Sequence, residues 1–239
     1  MILSMKGEVL LMNAVIRTNV AQMIVMRTPT IHVAAVLNPT MTQRMTSERS
    51  CASFTLGCMD KDQIRNRARG RPPVEPGVGL SVVSGLFVWL SERLPGTISA
   101  YLALPDEVDV TPLFERLPGW RWTLPRVEDD GSLTFRDREV PREVHRFGME
   151  QPVEQGQVTP VREIDVFLVP GVAFDATGGR LGRGAGYYDR LLAERRSDAT
   201  AVGVATDMKM IESVPVFDND QRVDWLATES GVRECSPMT

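Results

Sequence analysis

Gly182, Gly184 and Gly186 alternate with Arg183 and Ala185, with Arg180-Leu181 before them and Tyr187-Tyr188-Asp189 after. Glycine reaches backbone conformations closed to other residues, so consecutive amides in such a loop can turn inward around an anion. Arg180 and Arg183 add planar donor forks that match phosphate oxygens, and Asp189 adds a carboxylate of the kind that holds magnesium against phosphates. The chemistry suggested is phosphate binding with a divalent cation. A glycine-rich run is also the default wherever backbone bends sharply, so the loop alone does not decide. Neither standard nucleotide motif is present. The dinucleotide fingerprint G-x-G-x-x-G fails because the third glycine comes one residue early, and no Gly-Lys-Ser/Thr occurs in the loop.

The flanking elements make the loop more specific. Asp165–Val169 is a short, β-branched apolar run expected as a buried strand ending at Pro170-Gly171, and Tyr187–Ala193 is expected as a helix after the glycine loop. Strand, glycine loop and helix in that order form a phosphate-binding arrangement, because a helix N-terminus offers free amides and partial positive charge. Upstream, Asp60–Arg71 is expected as a short helix carrying Lys61, Arg65, Arg67, Arg69 and Arg71, stopped by Pro72, Pro73 and Pro76. Its charge suits either a solvated face or contact with an anion. Val78–Arg93 reads as a helix packed on a sheet, with Trp89 in the core. Thr97–Leu104, Trp120–Val127, Ser132–Arg136 and Thr200–Thr206 read as strands, with a last strand within Val214–Glu229. Alternating strands and helices imply an α/β fold: a mostly parallel sheet with helices on both faces and ligands at the strand C-terminal ends.

Composition bounds the remaining possibilities. The 239 residues carry a formal net charge of -4, which argues against a general nucleic-acid or anionic-membrane binder. Cys51, Cys58 and Cys235 lack metal-type spacing and a disulfide framework, so a reducing cytoplasm is expected. His32 and His145 suggest neither a zinc site nor a triad. Residues 1–59 hold eight of the 12 methionines, with five basic side chains against two acidic, whereas the remainder holds 22 against 29. This segment has no membrane-length apolar run and no convincing signal or transit pattern. It is expected as a disordered extension, followed by one catalytic domain over 60–233 and a tail over 234–239.

In order and spacing, Pro170-Gly171, Phe174-Asp175, Gly179-Arg180-Leu181-Gly182, Gly184, Gly186 and Tyr187-Tyr188-Asp189 resemble the hallmark of the 5-formyltetrahydrofolate cyclo-ligase family, also called 5,10-methenyltetrahydrofolate synthetase. The resemblance covers roughly Asp60 to Glu229. It implies the fold shared with sugar-phosphate isomerases and CoA transferases, and ATP- and magnesium-dependent closure of 5-formyltetrahydrofolate to 5,10-methenyltetrahydrofolate. It further implies ATP contacts from Lys61, Arg65 and Arg180 through Tyr188, thus Leu181, Gly182, Arg183, Gly184, Ala185, Gly186 and Tyr187 as well. Folate would meet Leu102, Glu107, Phe147 and Arg183 to Tyr187, magnesium Asp189 and Asp220, with Arg183 and Tyr187 closest to the chemistry.

Ala185 stands where relatives often carry lysine or glycine, and Asp218 replaces a usual glutamate, so Arg183 and Asp220 are the expected contacts there. Asp189 is expected to serve metal rather than cap the helix, so asparagine at that position should preserve the fold. A sugar-phosphate isomerase or CoA transferase relative, or an inactive folate- or nucleotide-binding protein of the same fold, are the rival readings. No obligate protein partner is indicated.

Overall fold

The computed structural model describes residues 59–145 and 148–236. Residues 1–58 of the extension expected over 1–59, and the folate contact expected at Phe147, lie outside these residues.

Helix α1 (Lys61–Ala68) begins at a reciprocal cap: Gln63 N donates to Asp60 Oδ1 at 2.8 Å, and Asp60 N donates to Gln63 Oε1 at 3.0 Å. Helix α2 (Pro76–Ser91) starts on a proline, whose missing donor costs nothing at that position, and buries Val82, Val83, Leu86, Trp89 and Leu90. Strand β1 (Thr97–Ser99) is shorter than the expected Thr97–Leu104, because the chain leaves the sheet at Ala100 for an irregular loop. Then come α3 (Pro112–Arg116), β2 (Arg121–Val127), β3 (Leu133–Asp137), β4 (Arg142–Val144), β5 (Glu150–Pro152) and β6 (Val158–Thr159). The second half contains β7 (Val166–Val169), β8 (Ala173–Phe174), β9 (Arg180–Leu181), α4 (Tyr187–Ala193), β10 (Thr200–Val204), β11 (Trp225–Thr228) and β12 (Gly231–Glu234).

Eight strands form the main sheet in the order β12-β11-β10-β7-β1-β2-β3-β6. All pairs from β11 to β2 are parallel, and β12, β3 and β6 add antiparallel edges. The period of two splits the core between the faces. Val166, Leu168, Val202, Val204 and Ala227 point into the cluster under α2 and α3, whereas Phe167, Val169, Ala201 and Leu226 point into the cluster with Leu191 and Leu192 of α4. The two covered faces are those expected of a parallel sheet, and they explain why β7 reads as a continuous apolar run.

Two further features differ from expectation. A small hairpin, β8–β9, stands between β7 and the glycine loop. The chain from 234 on is also more than a tail: β12 reaches Glu234, Cys235 N donates to Asp224 O at 2.8 Å, and Ser236 N donates to Ala176 O at 3.0 Å. A four-residue strand with half its positions exposed carries little apolar signal.

Candidate functional site

The chain passes from β1 to β2 on one side of the sheet and later places β7 on the other side of β1. Between the C-terminal ends of two parallel strands whose connections diverge lies a crevice, and there such folds take their ligands. The segments leaving β1 and β7 form its two lips.

On the β1 side the loop is stiffened from within. Tyr101 Oη donates to Val108 O at 2.8 Å, Glu107 N donates to Leu104 O at 2.8 Å, and Leu104 N donates to Glu107 Oε2 at 3.1 Å. The Glu107 side chain, only 9% exposed, is thereby held at the crevice.

On the β7 side the hairpin is held by a buried carboxylate. Asp175 accepts from Thr177 N at 2.9 Å, Thr177 Oγ1 at 2.7 Å, Gly179 N at 2.9 Å and Val214 N at 2.8 Å. Burial by itself would raise its pKa, but these donors overrule burial and hold it below the usual carboxylate range. Gly178 turns the hairpin at φ 81°, where an added Cβ would meet Val223 O at 2.2 Å. The fully buried Phe174 ring lies over Gly171 and Gly203, whose added Cβ atoms would meet it at 2.7 and 2.6 Å.

The hairpin changes the expected role of its arginine. Arg180 is not a free fork beside the glycine loop: it sits on β9 with a side chain only 3% exposed, and its Nη2 donates to Asp189 Oδ1 at 2.8 Å. The glycine loop proper is therefore 182–186, where Gly184 and Gly186 take φ values of 114° and 66°. Gly186 precedes α4, so Asp189 lies inside the helix, as expected, and does not cap it.

Helix α1 docks by Ile64 against Ala173, Leu181 and Val214. That contact turns the basic positions toward the loop. Arg65 Nε donates to Gly182 O at 3.1 Å, and Lys61 Nζ donates to Asp220 Oδ2 at 2.5 Å. Asp220 also accepts from Phe217 N at 2.6 Å; burial would raise its pKa, but Lys61 and this amide leave it lowered. Gln221 N donates to Asp189 Oδ1 at 3.3 Å, which brings the segments bearing the two aspartates together.

These elements enclose a cavity of about 520 Å³, lined by Lys61, Arg65, Leu102, Glu107, the whole run Arg180 to Asp189, and Asp220. That volume suits a small-molecule site. Every described residue expected at the site lines this one cavity, and Asp218 does not. Tyr101, Leu104, Pro125, Val127 and Leu133 supply an apolar wall that the sequence reading did not assign to the site, because 97–104, 120–127 and 132–136 read simply as strands; Met149, from the segment after Phe147, joins them. Arg183 spans the opening: Nη2 donates to Asp106 Oδ1 at 2.6 Å and Glu107 Oε1 at 3.2 Å. Burial alone would lower the Arg183 pKa, and the two carboxylates raise it instead. Asp106, unforeseen as a partner, is held below its ordinary range by Lys209 and Arg183 against the opposing effect of burial.

The carboxylates present could meet magnesium in one way only. Among the described residues no group of three or more His, Cys, Asp or Glu side chains could hold a metal ion. Asp189 and Asp220 each take their hydrogen bonds on a single oxygen, Oδ1 and Oδ2 respectively. One carboxylate oxygen on each is left for a cation whose remaining ligands come from phosphates and water, the usual arrangement for magnesium.

The family model described as "5-formyltetrahydrofolate cyclo-ligase family" matches residues 92–229. The 5-formyltetrahydrofolate cyclo-ligase of Escherichia coli K12 is 31% identical over 180 residues, covering 72% of this chain and 99% of that protein. The NMR structure of Aquifex aeolicus 5,10-methenyltetrahydrofolate synthetase superposes with a TM-score of 0.65 at 32% identity, covering 76% of this chain and 95% of that one. The 5,10-methenyltetrahydrofolate synthetase of Mycoplasma pneumoniae agrees in fold, with a TM-score of 0.60 at 24% identity over 72% of this chain and 99% of that one. Among the described residues no helix is long and apolar enough to cross a membrane.

Proposed function

The chain belongs to the 5-formyltetrahydrofolate cyclo-ligase family and converts 5-formyltetrahydrofolate to 5,10-methenyltetrahydrofolate, and from that premise we propose that ATP, with magnesium, drives the closure in the cavity between β1 and β7. The observation that carries this reading is that one cavity of about 520 Å³ is lined both by charged groups and by apolar side chains. Lys61, Arg65 and the loop 182–186 suit a polyphosphate, and Leu102, Val127, Leu133 and Met149 suit a flat ring system.

The formyl oxygen on N5 takes the γ-phosphoryl group of ATP with release of ADP, N10 attacks the activated carbon and gives up its proton, and the C–O bond breaks with departure of inorganic phosphate. Phosphorylation makes a poor leaving oxygen a good one, so placement and charge neutralisation are the protein's main tasks. Glu107 can accept hydrogen bonds from an amino group and a ring N–H together, fixing the pterin end. Arg183, on the glycine loop and in contact with Glu107, neutralises charge where the phosphoryl group moves, beside Tyr187. The apolar wall keeps water from the activated carbon. Magnesium on Asp189 and Asp220 would offset phosphate charge.

A cytoplasmic setting belongs to the same proposal. The Cys235 thiol is free and pushed up to about 11 by burial, as suits a reduced, unreactive side chain. Nucleic acid and an obligate protein partner have no part in it.

The test is an absorbance assay for methenyl product with 5-formyltetrahydrofolate, ATP and magnesium, omitting each in turn. Product equal in amount to released ADP supports the reading, and product formed without ATP overturns it. Lys61→Ala is expected to raise the KM for ATP roughly tenfold while the KM for folate stays within about twofold, since a lost charge-assisted contact is worth about 1.5 kcal/mol or more and touches one substrate. Equal rises in both constants would assign Lys61 to the support of Asp220 alone.

A further inference from the structure

Lys209 follows β10, and its side chain is only 4% exposed. Its Nζ donates to Gly171 O at 3.0 Å and to Asp106 Oδ2 at 3.4 Å. Gly171 belongs to the lip that leaves β7 and Asp106 to the lip that leaves β1, so one ammonium group bonds both sides of the crevice. Asp106 offers its other oxygen, Oδ1, to Arg183 at 2.6 Å. Arg183 is half exposed and divides its donors between Asp106 and Glu107, so its hold on this side depends on how much charge Asp106 keeps for it.

We propose that Lys209 is a positioning residue that sets the availability of Arg183. By sharing Asp106, it weakens the grip of that carboxylate on the arginine and leaves Arg183 able to move to phosphate. The charged groups facing Lys209 are Asp106, Glu107 and Arg183, and Asp106 is the one it bonds. Burial lowers the Lys209 pKa and the two carboxylates oppose that, so the lysine works as a counter-charge inside the protein wall rather than as a ligand in the cavity. Lys209 does not line the cavity, and its effect on turnover therefore passes through Asp106.

This inference rests on the reading of Arg183 as a phosphate contact. With Lys209→Met, Asp106 gives its full charge to Arg183, and the KM for ATP is expected to rise about tenfold with a fall in kcat, while the KM for folate changes little. Adding Asp106→Asn removes the excess charge and is expected to bring the KM for ATP back to within about threefold of wild type. ADP binding by calorimetry should follow the same order of variants. Lys209→Gln, which can still donate to Gly171 O, serves if the methionine variant does not fold, with the same expected rescue.

Rescue by Asp106→Asn together with an effect confined to ATP supports the proposal. An active wild type beside a lysine variant that matches it, or one that Asp106→Asn fails to rescue, overturns it. A wild-type chain without ATP-dependent turnover overturns both the proposed function and this inference.

Discussion

Asp189→Asn is expected to reduce magnesium-dependent turnover by about 100-fold or more, the scale of losing a group that stabilises charge at a transition state. It is also expected to destabilise the fold. Asp189 accepts from Arg180, whose side chain is 3% exposed, so the amide leaves that guanidinium without its ionic partner. Asparagine retains an acceptor oxygen, which limits the loss to about 2 kcal/mol against the larger cost of an unpaired buried charge. For a domain of this size that lowers the melting temperature by roughly 4–8 °C. The expectation from sequence, that asparagine here would preserve the fold, is thus replaced by a double effect. Initial rates across a magnesium titration, set beside thermal melting, separate the two parts. Full turnover by the folded fraction at high magnesium would confine Asp189 to holding Arg180.

The second large effect is expected at Asp175, which the sequence marks only as part of a pattern. Asp175→Ala removes the acceptor of Thr177 N, Gly179 N and Val214 N, leaving these donors unpaired in a site where the carboxylate is 4% exposed. A loss of about 3–4 kcal/mol is expected, with activity falling in step, because the hairpin bearing Arg180 and the segment leading to Asp220 share this one anchor. The pH dependence has a definite sign. The pKa of Asp175 is lowered on folding, so its contribution is full above the unfolded value of about 3.9 and disappears as pH falls through the lower folded value. The stability gap between wild type and variant should be constant above about pH 5 and narrow below about pH 4. Chemical denaturation from pH 3 to 7 measures it. A gap that widens in acid would show that Asp175 does not hold the hairpin as a carboxylate.

The parallel sheet was legible because β7, β10 and β11 carry apolar residues on both faces, and α1 because a basic run that begins with an acid is stopped by Pro72, Pro73 and Pro76. The glycine loop announced itself by spacing. What escaped reading depends on partners distant in the chain. Arg180 looked like a loop cation because nothing local says that β8–β9 will fold it inward against Asp189, nine residues on. Lys209 lies in an ordinary run, and its burial follows only from Gly171 and Asp106 arriving beside it. The early end of β1 has a similar cause, since Tyr101 and Glu107 bond their own loop rather than a neighbouring strand. The apolar wall read as core because an apolar side chain facing a ligand has the same composition as one facing another side chain.

The Phe174 ring lying over Gly171 and Gly203 has a consequence for how the sequence can drift. A methyl group at either glycine would intrude to within 2.7 Å of the ring, which is the main obstacle at both positions; without it, a Cβ at 171 still meets Leu181 O at 3.3 Å and one at 203 meets Leu226 Cδ2 at 3.1 Å, contacts that a small shift relieves. Conversely, a smaller residue at position 174 opens a void above two bare stretches of backbone, one at the end of β7 and one on β10. The three positions therefore form one inherited unit. An alanine that is damaging as a first step at Gly203 becomes a filling group once position 174 has shrunk, so the order of mutations decides which descendants of this chain remain viable.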